Sequence, residues 1–328
     1  MTSSDESLTS NEDRRTAAKR KLEARLESER ARRRRNRNIA VSIVTVVTLV
    51  IALTVAWLAH TFVGTVTCQW GKPQNTLADT VKGRDKIVNE QPPERRAEAA
   101  KYMDALAAGV PKERSAPQPS SNVPLPFPGS HRYVKTGLWP VGSTTPMNLQ
   151  TNRGDLPITL DHASAPCNSA AIQSLVKAGY YNGTDCHRLT RSQNLKVLQC
   201  GDPTGTGMGG PGWTSPDESP TNLKAVDGAQ NNPMLGGSGP VVYPRGTVAI
   251  ANSNNAMLGR ANTGAAQFFI VWADSQLTPD FAVVGHLDES GMKTLDAISK
   301  IPTEKGPDGS ADGGKPKEPV TIKTATVG

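Results

Sequence analysis

A chain of 328 residues is long enough for two domains, but 25 prolines and 30 glycines gathered in particular segments exclude a uniformly globular chain. One folded domain with linkers fits better. A net charge of +7 would suit an acidic partner such as nucleic acid, but the charge collects in residues 13–37, with ARRRRNRN at 31–38, and the uncharged apolar run directly after it argues against that reading.

Residues 39–63, IAVSIVTVVTLVIALTVAWLAHTFV, hold no Lys, Arg, Asp or Glu. About 20 apolar residues suffice to cross the hydrocarbon core of a bilayer. With a basic cluster on the amino-terminal side and no further basic residue until Lys72, residues 1–38 are expected in the cytoplasm and the remainder outside. Trp57 and His60 then fall near the outer interface. A cleaved signal peptide would need a shorter charged region, a shorter apolar region and a small-residue cleavage site. The expectation is therefore a single-pass protein of the plasma membrane, with lipid as the partner of residues 39–63 and no nucleic acid. Leu22 and Leu26 share one helical face of 14–35, which reads as a solvated, lipid-adjacent helix rather than a coiled coil.

All four cysteines, Cys68, Cys167, Cys186 and Cys200, lie beyond the span and so face an oxidising compartment. Four cysteines allow three connectivities. Cys186 and Cys200 flank an expected hairpin and are the first candidates for one bridge. No C-x-x-C spacing is present and His187 is a lone histidine, so a metal is not expected.

Residues 64–144 show no sustained strand alternation and read as an extracytoplasmic stalk. Within it, 94–108 has helical spacing and stops at Gly109 with Pro111 beyond. The run SAPQPSSNVPLPFPG at 115–129 is expected to be extended and poor in hydrogen bonds. Trp70 and Trp139 are unusual in a spacer; packing on the folded domain, with Cys68 tied to it, would account for them.

The folded domain is expected over 145–328, with strand-like runs at 147–151, 156–160, 185–189, 195–199, 247–251, 267–272, 282–286 and 320–326, and helices at 168–178 and 292–300. The loop 252–264 carries Asn252, Asn254, Asn255 and Asn262. Turn chemistry explains such amides; so would a polar rim that bonds an extended peptide beside an aromatic floor from Phe269. The run GDPTGTGMGGPG at 201–212 formally contains G-x-G-x-x-G, but a dinucleotide site needs that run to open a helix, and Pro211 and Pro216 come next. Its glycines instead let backbone pass close beneath a bound peptide, Gly207 among them.

Cys186-His187-Arg188, Gln199-Cys200-Gly201-Asp202, the glycine run 205–212, Ala251-Asn252-Ser253 and Gln267-Phe268-Phe269 occur in that order. In this they resemble the cyclophilin-type peptidyl-prolyl isomerases, whose core reads F-H-R, Q-x-G-D, G-T-G-G, A-N-A and Q-F-F. The resemblance covers about the carboxyl-terminal half. It implies a mainly β fold: a closed eight-stranded antiparallel barrel capped by two helices, with the site on its outer surface. It also implies prolyl isomerisation without a cofactor, acting on proline-containing segments of exported proteins.

Rotation about a peptide bond meets a barrier of ~18–20 kcal/mol, and uncatalysed X–Pro exchange takes roughly tens to hundreds of seconds. A catalyst must favour the twisted amide, whose prolyl nitrogen becomes a hydrogen-bond acceptor. A planar donor fork suits that task, so the resemblance assigns catalysis to Arg188. It assigns backbone binding to Gln199 and Gln267, the edge of the groove to Ala251 and Asn252, and the apolar pocket to Val197, Phe269, Leu277 and Phe281.

The chain departs from the family pattern in places. The Arg188–Gln199 hairpin is longer and lacks the usual Pro-Gly turn, Lys196 and Val197 replace Phe and Met, Gln276 replaces a Trp, and Phe281 replaces a His. The loss of that Trp predicts weak inhibition by cyclosporin. The altered wall also keeps a second class open, a non-catalytic peptide-binding module on a membrane stalk.

Overall fold

A computed structural model describes residues 3–61, 65–124, 144–229, 239–305 and 313–328. Two compact units divide the chain after Phe62. The first is one helix, α1 (Ser3–Thr61), unbroken between the basic run and the apolar one. Among the described residues it is the helix long and apolar enough to cross a membrane. Its apolar side chains, Val41, Ile43, Val44 and Leu49 among them, are exposed, as are Leu22 and Leu26. The hydroxyls of Thr45, Thr48 and Thr54 donate to the carbonyls of Val41, Val44 and Val50 one turn back, so these polar groups need no water.

The second unit opens with a layer that the sequence reads as a stalk. Strand β1 (Thr65–Thr67) pairs antiparallel with β2 (Asn122–Pro124). Between them lie α2 (Leu77–Lys82), α3 (Arg84–Asn89) and α4 (Arg96–Gly109), the last being the helix expected at 94–108. Thr76 caps α2 reciprocally with Asp79. Leu77, Met103 and Leu106 close a small core with Val81, Ile87 and Val110 at its margin.

This layer is docked on the domain rather than extended. Cys68 is bonded to Cys167, and Trp70 meets Trp213 edge-on at 5.4 Å. Gly71 and Thr214 exchange backbone hydrogen bonds of 2.9 and 3.0 Å. Ala116 N donates to Pro211 O and accepts from Trp213 Nε1 at its carbonyl, so the Pro-rich run is not poor in hydrogen bonds here. Arg114 Nη1 donates to the carbonyls of Tyr180 and Asn182 at 2.9 and 2.8 Å. Residues 125–143, including Trp139, lie outside the described residues.

The sheet is antiparallel throughout. Its strands are β3 (Thr144–Thr151), β4 (Gly154–Asp161), β5 (Thr184–Asp185), β6 (Arg188–Thr190), β7 (Val197–Cys200), β10 (Thr247–Ile250), β11 (Phe268–Val271), β13 (Val283–Leu287), β14 (Gly313–Gly314) and β15 (Thr321–Val327); β8 (Lys224–Ala225), β9 (Val241–Tyr243) and β12 (Ser275–Leu277) form a separate three-stranded sheet. The ten-strand order is β14-β6-β7-β11-β10-β13-β4-β3-β15-β5. The eight strands expected to close on themselves thus become a curled ten-strand ladder ending at β14 and β5. The strand expected at 185–189 is broken at Cys186–His187, where Cys186 N turns to Val320 O. That break separates β5, paired with β15, from β6, paired with β7.

Side chains alternate across the ladder with period two. Phe268, Ile270, Leu198, Cys200, Val248, Ile250 and Val284 enter the main core, while Phe269, Val271, Val197, Ala249 and Val283 form a second cluster on the opposite face. Helices α5 (Pro166–Lys177) and α6 (Glu289–Ser299) bury Ile172, Leu175, Leu295 and Ile298 in the main core. The Glu218 carboxylate, from a distant loop, accepts from the backbone N–H groups of Cys167 and Asn168 at the start of α5. Cys186 and Cys200 are bonded, the pairing expected of the hairpin.

Candidate active site

Five strands place one row of residues on the face away from the main core. Arg188 on β6 lies opposite Gln199 on β7, Gln199 opposite Phe269 on β11, Phe269 opposite Ala249 on β10, and Ala249 opposite Val283 on β13. Directly opposed residues share a face, so a cation, an amide and an aromatic floor succeed one another at strand spacing, about 4.8 Å apart. Leu189, one position on, is fully buried in the main core, which leaves Arg188 exposed on the outer face.

The polar half of the row is hydrogen-bonded end to end. Arg188 Nη1 donates to Gln199 Oε1 at 3.4 Å, and Gln199 Nε2 donates to Gln267 Oε1 at 3.0 Å. Gln267 Nε2 in turn donates to the carbonyls of Gly207 and Gly209 at 2.9 and 3.0 Å. Those carbonyls are fixed by Asp202, a fully buried carboxylate that accepts from the N–H groups of Thr204, Gly207 and Gly209. Gly207 has φ +82°, a conformation in which a side chain is strained, and a Cβ on Gly209 would collide with Asp202 Oδ1. The sequence offers Asp202 as part of a motif; its work is to hold the loop beneath the groove.

The apolar half is an aromatic cluster. Phe269 and Phe281 meet edge-on at 5.4 Å, and Tyr243 stands 6.3 Å from each. Val197 is buried in the same cluster, with Leu277 and Ala251 at its margin. Tyr243 is absent from the sequence-predicted set, although VVYP at 241–244 carries a strand signal. Its hydroxyl accepts from Phe281 N at 3.2 Å and donates toward the carbonyls of Phe281 and Thr278. Burial pushes its pKa upward, so it stays a neutral donor and acceptor. Tyr243→Phe is expected to cost about 1–2 kcal/mol, since it leaves Phe281 N without that partner. The same change is expected to raise KM more than it lowers kcat, which steady-state kinetics beside a denaturant midpoint will check.

The amide-rich loop is turned inward. Asn252 Nδ2 donates to Asp280 O at 2.8 Å, beside Phe281, while its Oδ1 accepts from Asn254 N. Asn254 and Asn262 bind Asp217, and Asn255 caps a short 3-10 turn at Ala256–Leu258. Turn chemistry thus accounts for these amides, with Asn252 at the cluster's edge. Lys196, where the family carries an aromatic, directs its ammonium to the carbonyls of Gln193 and Asp274; Gln276 is exposed on β12.

His187 sits behind Arg188, 9% exposed, with neither ring nitrogen hydrogen-bonded. Burial lowers its pKa, the charge of Arg188 adds to this and that of Asp202 opposes it. An unfolded chain takes up this proton near pH 6.5, whereas the folded one resists it. Stability is therefore present above about pH 6.5 and lost as the pH falls below it. Denaturant midpoints between about pH 5 and 8 should decline on the acid side, and His187→Gln should flatten the decline.

The family model described as "Cyclophilin type peptidyl-prolyl cis-trans isomerase/CLD" matches residues 146–327. "Probable peptidyl-prolyl cis-trans isomerase B" of Mycobacterium tuberculosis (strain ATCC 25618 / H37Rv) is 39% identical over 197 residues, 60% of this chain and 59% of that one. The protein of the same name from Mycobacterium leprae (strain TN) is 41% identical over 182 residues, 56% of each chain. The alignments thus span less than two thirds of these relatives. A crystal structure of a Cryptosporidium parvum cyclophilin type peptidyl-prolyl cis-trans isomerase superposes on 57% of this chain and 98% of its own, at 24% identity and a TM-score of 0.40.

Proposed function

The chain belongs to the cyclophilin-type peptidyl-prolyl cis-trans isomerase family, and from that premise we propose that it accelerates cis-trans exchange at X–Pro bonds, with Arg188 as the catalytic residue. The observation that carries this reading is the single row in which Arg188, Gln199 and Phe269 oppose one another on the outer face. The proline ring rests against Phe269, Leu277 and Phe281, and the Arg188 fork donates to the prolyl nitrogen as its lone pair localises in the twisted amide. Gln199 holds the guanidinium in place; Gln267 and the edge at Ala251 and Asn252 hold the peptide backbone. No proton or bond changes hands. A rate gain of about 10⁵ needs about 7 kcal/mol of differential stabilisation, shared between desolvation of the amide and this donor.

In the same reading the curled ladder closes through the short segment that joins β5 to β6, since its two halves pair with β15 and β7. Residues 39–63 anchor the chain in the plasma membrane, with residues 1–38 cytoplasmic and the isomerase domain outside. The charge asymmetry and two disulfides support that orientation. The substrates are then proline-containing segments of exported proteins.

A protease-coupled assay on a short X–Pro peptide tests the activity. The full chain in detergent should shorten the slow phase in proportion to its concentration. A slow phase that does not respond, despite measurable peptide binding, would leave a peptide-binding module instead.

A further inference from the structure

A cleft of about 400 Å³ lies between the Pro111–Arg114 turn, just after α4, and the barrel end at Gly183, Asp185, His187, Thr204 and Lys315. It is separate from the aromatic cluster, and the isomerase reading makes no use of it. Three cationic side chains line it, Lys112, Arg114 and Lys315, against the carboxylates of Glu113 and Asp185. Arg114 is planted on the Tyr180 and Asn182 carbonyls, and Asp185 accepts from Thr321 Oγ1 at 2.6 Å. Among the described residues nothing bonds the ammonium groups of Lys112 and Lys315, both exposed.

The back wall is the second observation. His187 is nine-tenths buried, lines the cleft, and has no partner at either ring nitrogen. Tyr180, which carries the carbonyl that receives Arg114, also keeps its hydroxyl buried without a partner. Buried polar atoms are ordinarily hydrogen-bonded, so an orphaned imidazole in the wall of a polar cleft marks a place for a ligand. A neutral imidazole offers one N–H and one lone pair.

We propose that this cleft binds a small phosphate-type oxyanion, free phosphate or a phosphate monoester, seated between the Lys112 and Lys315 ammonium groups with His187 at its back. A hydrogen phosphate carries acceptor oxygens for the ammonium groups and the imidazole N–H, and an O–H for the imidazole lone pair. The volume exceeds that of bare phosphate and leaves room for a short organic group. The bound anion bridges the helical layer to the segment that joins β5 to β6, directly before Arg188.

The test uses the full chain in nonionic detergent at constant ionic strength, with ³¹P linewidths of inorganic phosphate and, separately, of glycerol 3-phosphate. Saturable broadening is expected with a dissociation constant on the order of 1 mM. Lys112→Gln and Lys315→Gln, both on exposed side chains, should each weaken binding about threefold or more, and Glu113→Gln should strengthen it by a similar factor. Tighter binding of glycerol 3-phosphate identifies the monoester as the occupant, and equal binding identifies free phosphate. The proposal is overturned by broadening that does not saturate. It is equally overturned by binding that all three substitutions leave unchanged, the pattern produced by adventitious attachment to the arginines of α1.

Discussion

Alanine in place of Arg188 is expected to lower kcat/KM for X–Pro isomerisation by about 100-fold or more, the loss typical of removing one donor aimed at developing charge. In free-energy terms that is about 3 kcal/mol of transition-state stabilisation. The side chain is exposed on the outer face, so the thermal midpoint should hardly move. Lysine at this position should recover little, because its compact ammonium lacks the rigid planar fork that holds separate donors toward Gln199 and the prolyl nitrogen. Gln199→Ala frees the guanidinium from its 3.4 Å contact and should give a milder loss. Comparing rates at saturating and limiting peptide separates the two: Arg188 should act on kcat, and Gln199 on both constants.

The second large effect concerns stability. Replacing Cys68 and Cys167 together with alanine is expected to destabilise the second unit by roughly 4–5 kcal/mol, because the bridge closes a chain separation of 99 residues. The Cys186–Cys200 bridge closes a separation of 14, for which about 3 kcal/mol is expected. The longer bridge joins the helical layer to α5, so its loss should also show locally. Hydrogen exchange should rise in α4 and in the loop Thr204–Gly209, because Gly109 lies so close to Thr204 and Thr206 that an added Cβ would press on both. Guanidinium denaturation of the full chain in detergent, with exchange read by mass spectrometry, checks both parts. A denaturation midpoint unchanged from the parent would mean that the layer is held by its packing and hydrogen bonds alone.

The strands of the curled ladder are legible in the sequence because each alternates a core-facing residue with an outward one; Phe268 and Phe269, adjacent in sequence, enter different clusters. The candidate site could be picked out because its residues fall in short ordered motifs, and three of them, Arg188, Gln199 and Phe269, lie on strands that oppose one another. Much less can be read from residues 65–124. Their attachment uses backbone hydrogen bonds at Gly71 and Ala116, a disulfide, and one Arg on two carbonyls, none of which leaves a periodic side-chain pattern. Three short helices around Leu77, Met103 and Leu106 make too small a core to announce itself by periodicity. Tyr243 escapes for a related reason: its strand is three residues long, and what distinguishes it is a hydroxyl reaching Phe281 from 38 positions away. The break between β5 and β6 is invisible in composition, because it arises where one strand changes partners.

The central claim is that the outer row of β6, β7 and β11 lowers the barrier to prolyl rotation rather than merely holding a proline. Two-dimensional exchange NMR on an X–Pro peptide, with the full chain present in catalytic amounts, separates the two directly. Exchange cross-peaks between cis and trans resonances should appear within about a second, against tens to hundreds of seconds for the free peptide, and they should vanish with Arg188→Ala. Peptide resonances that shift on binding while cis and trans remain unexchanged would contradict the account.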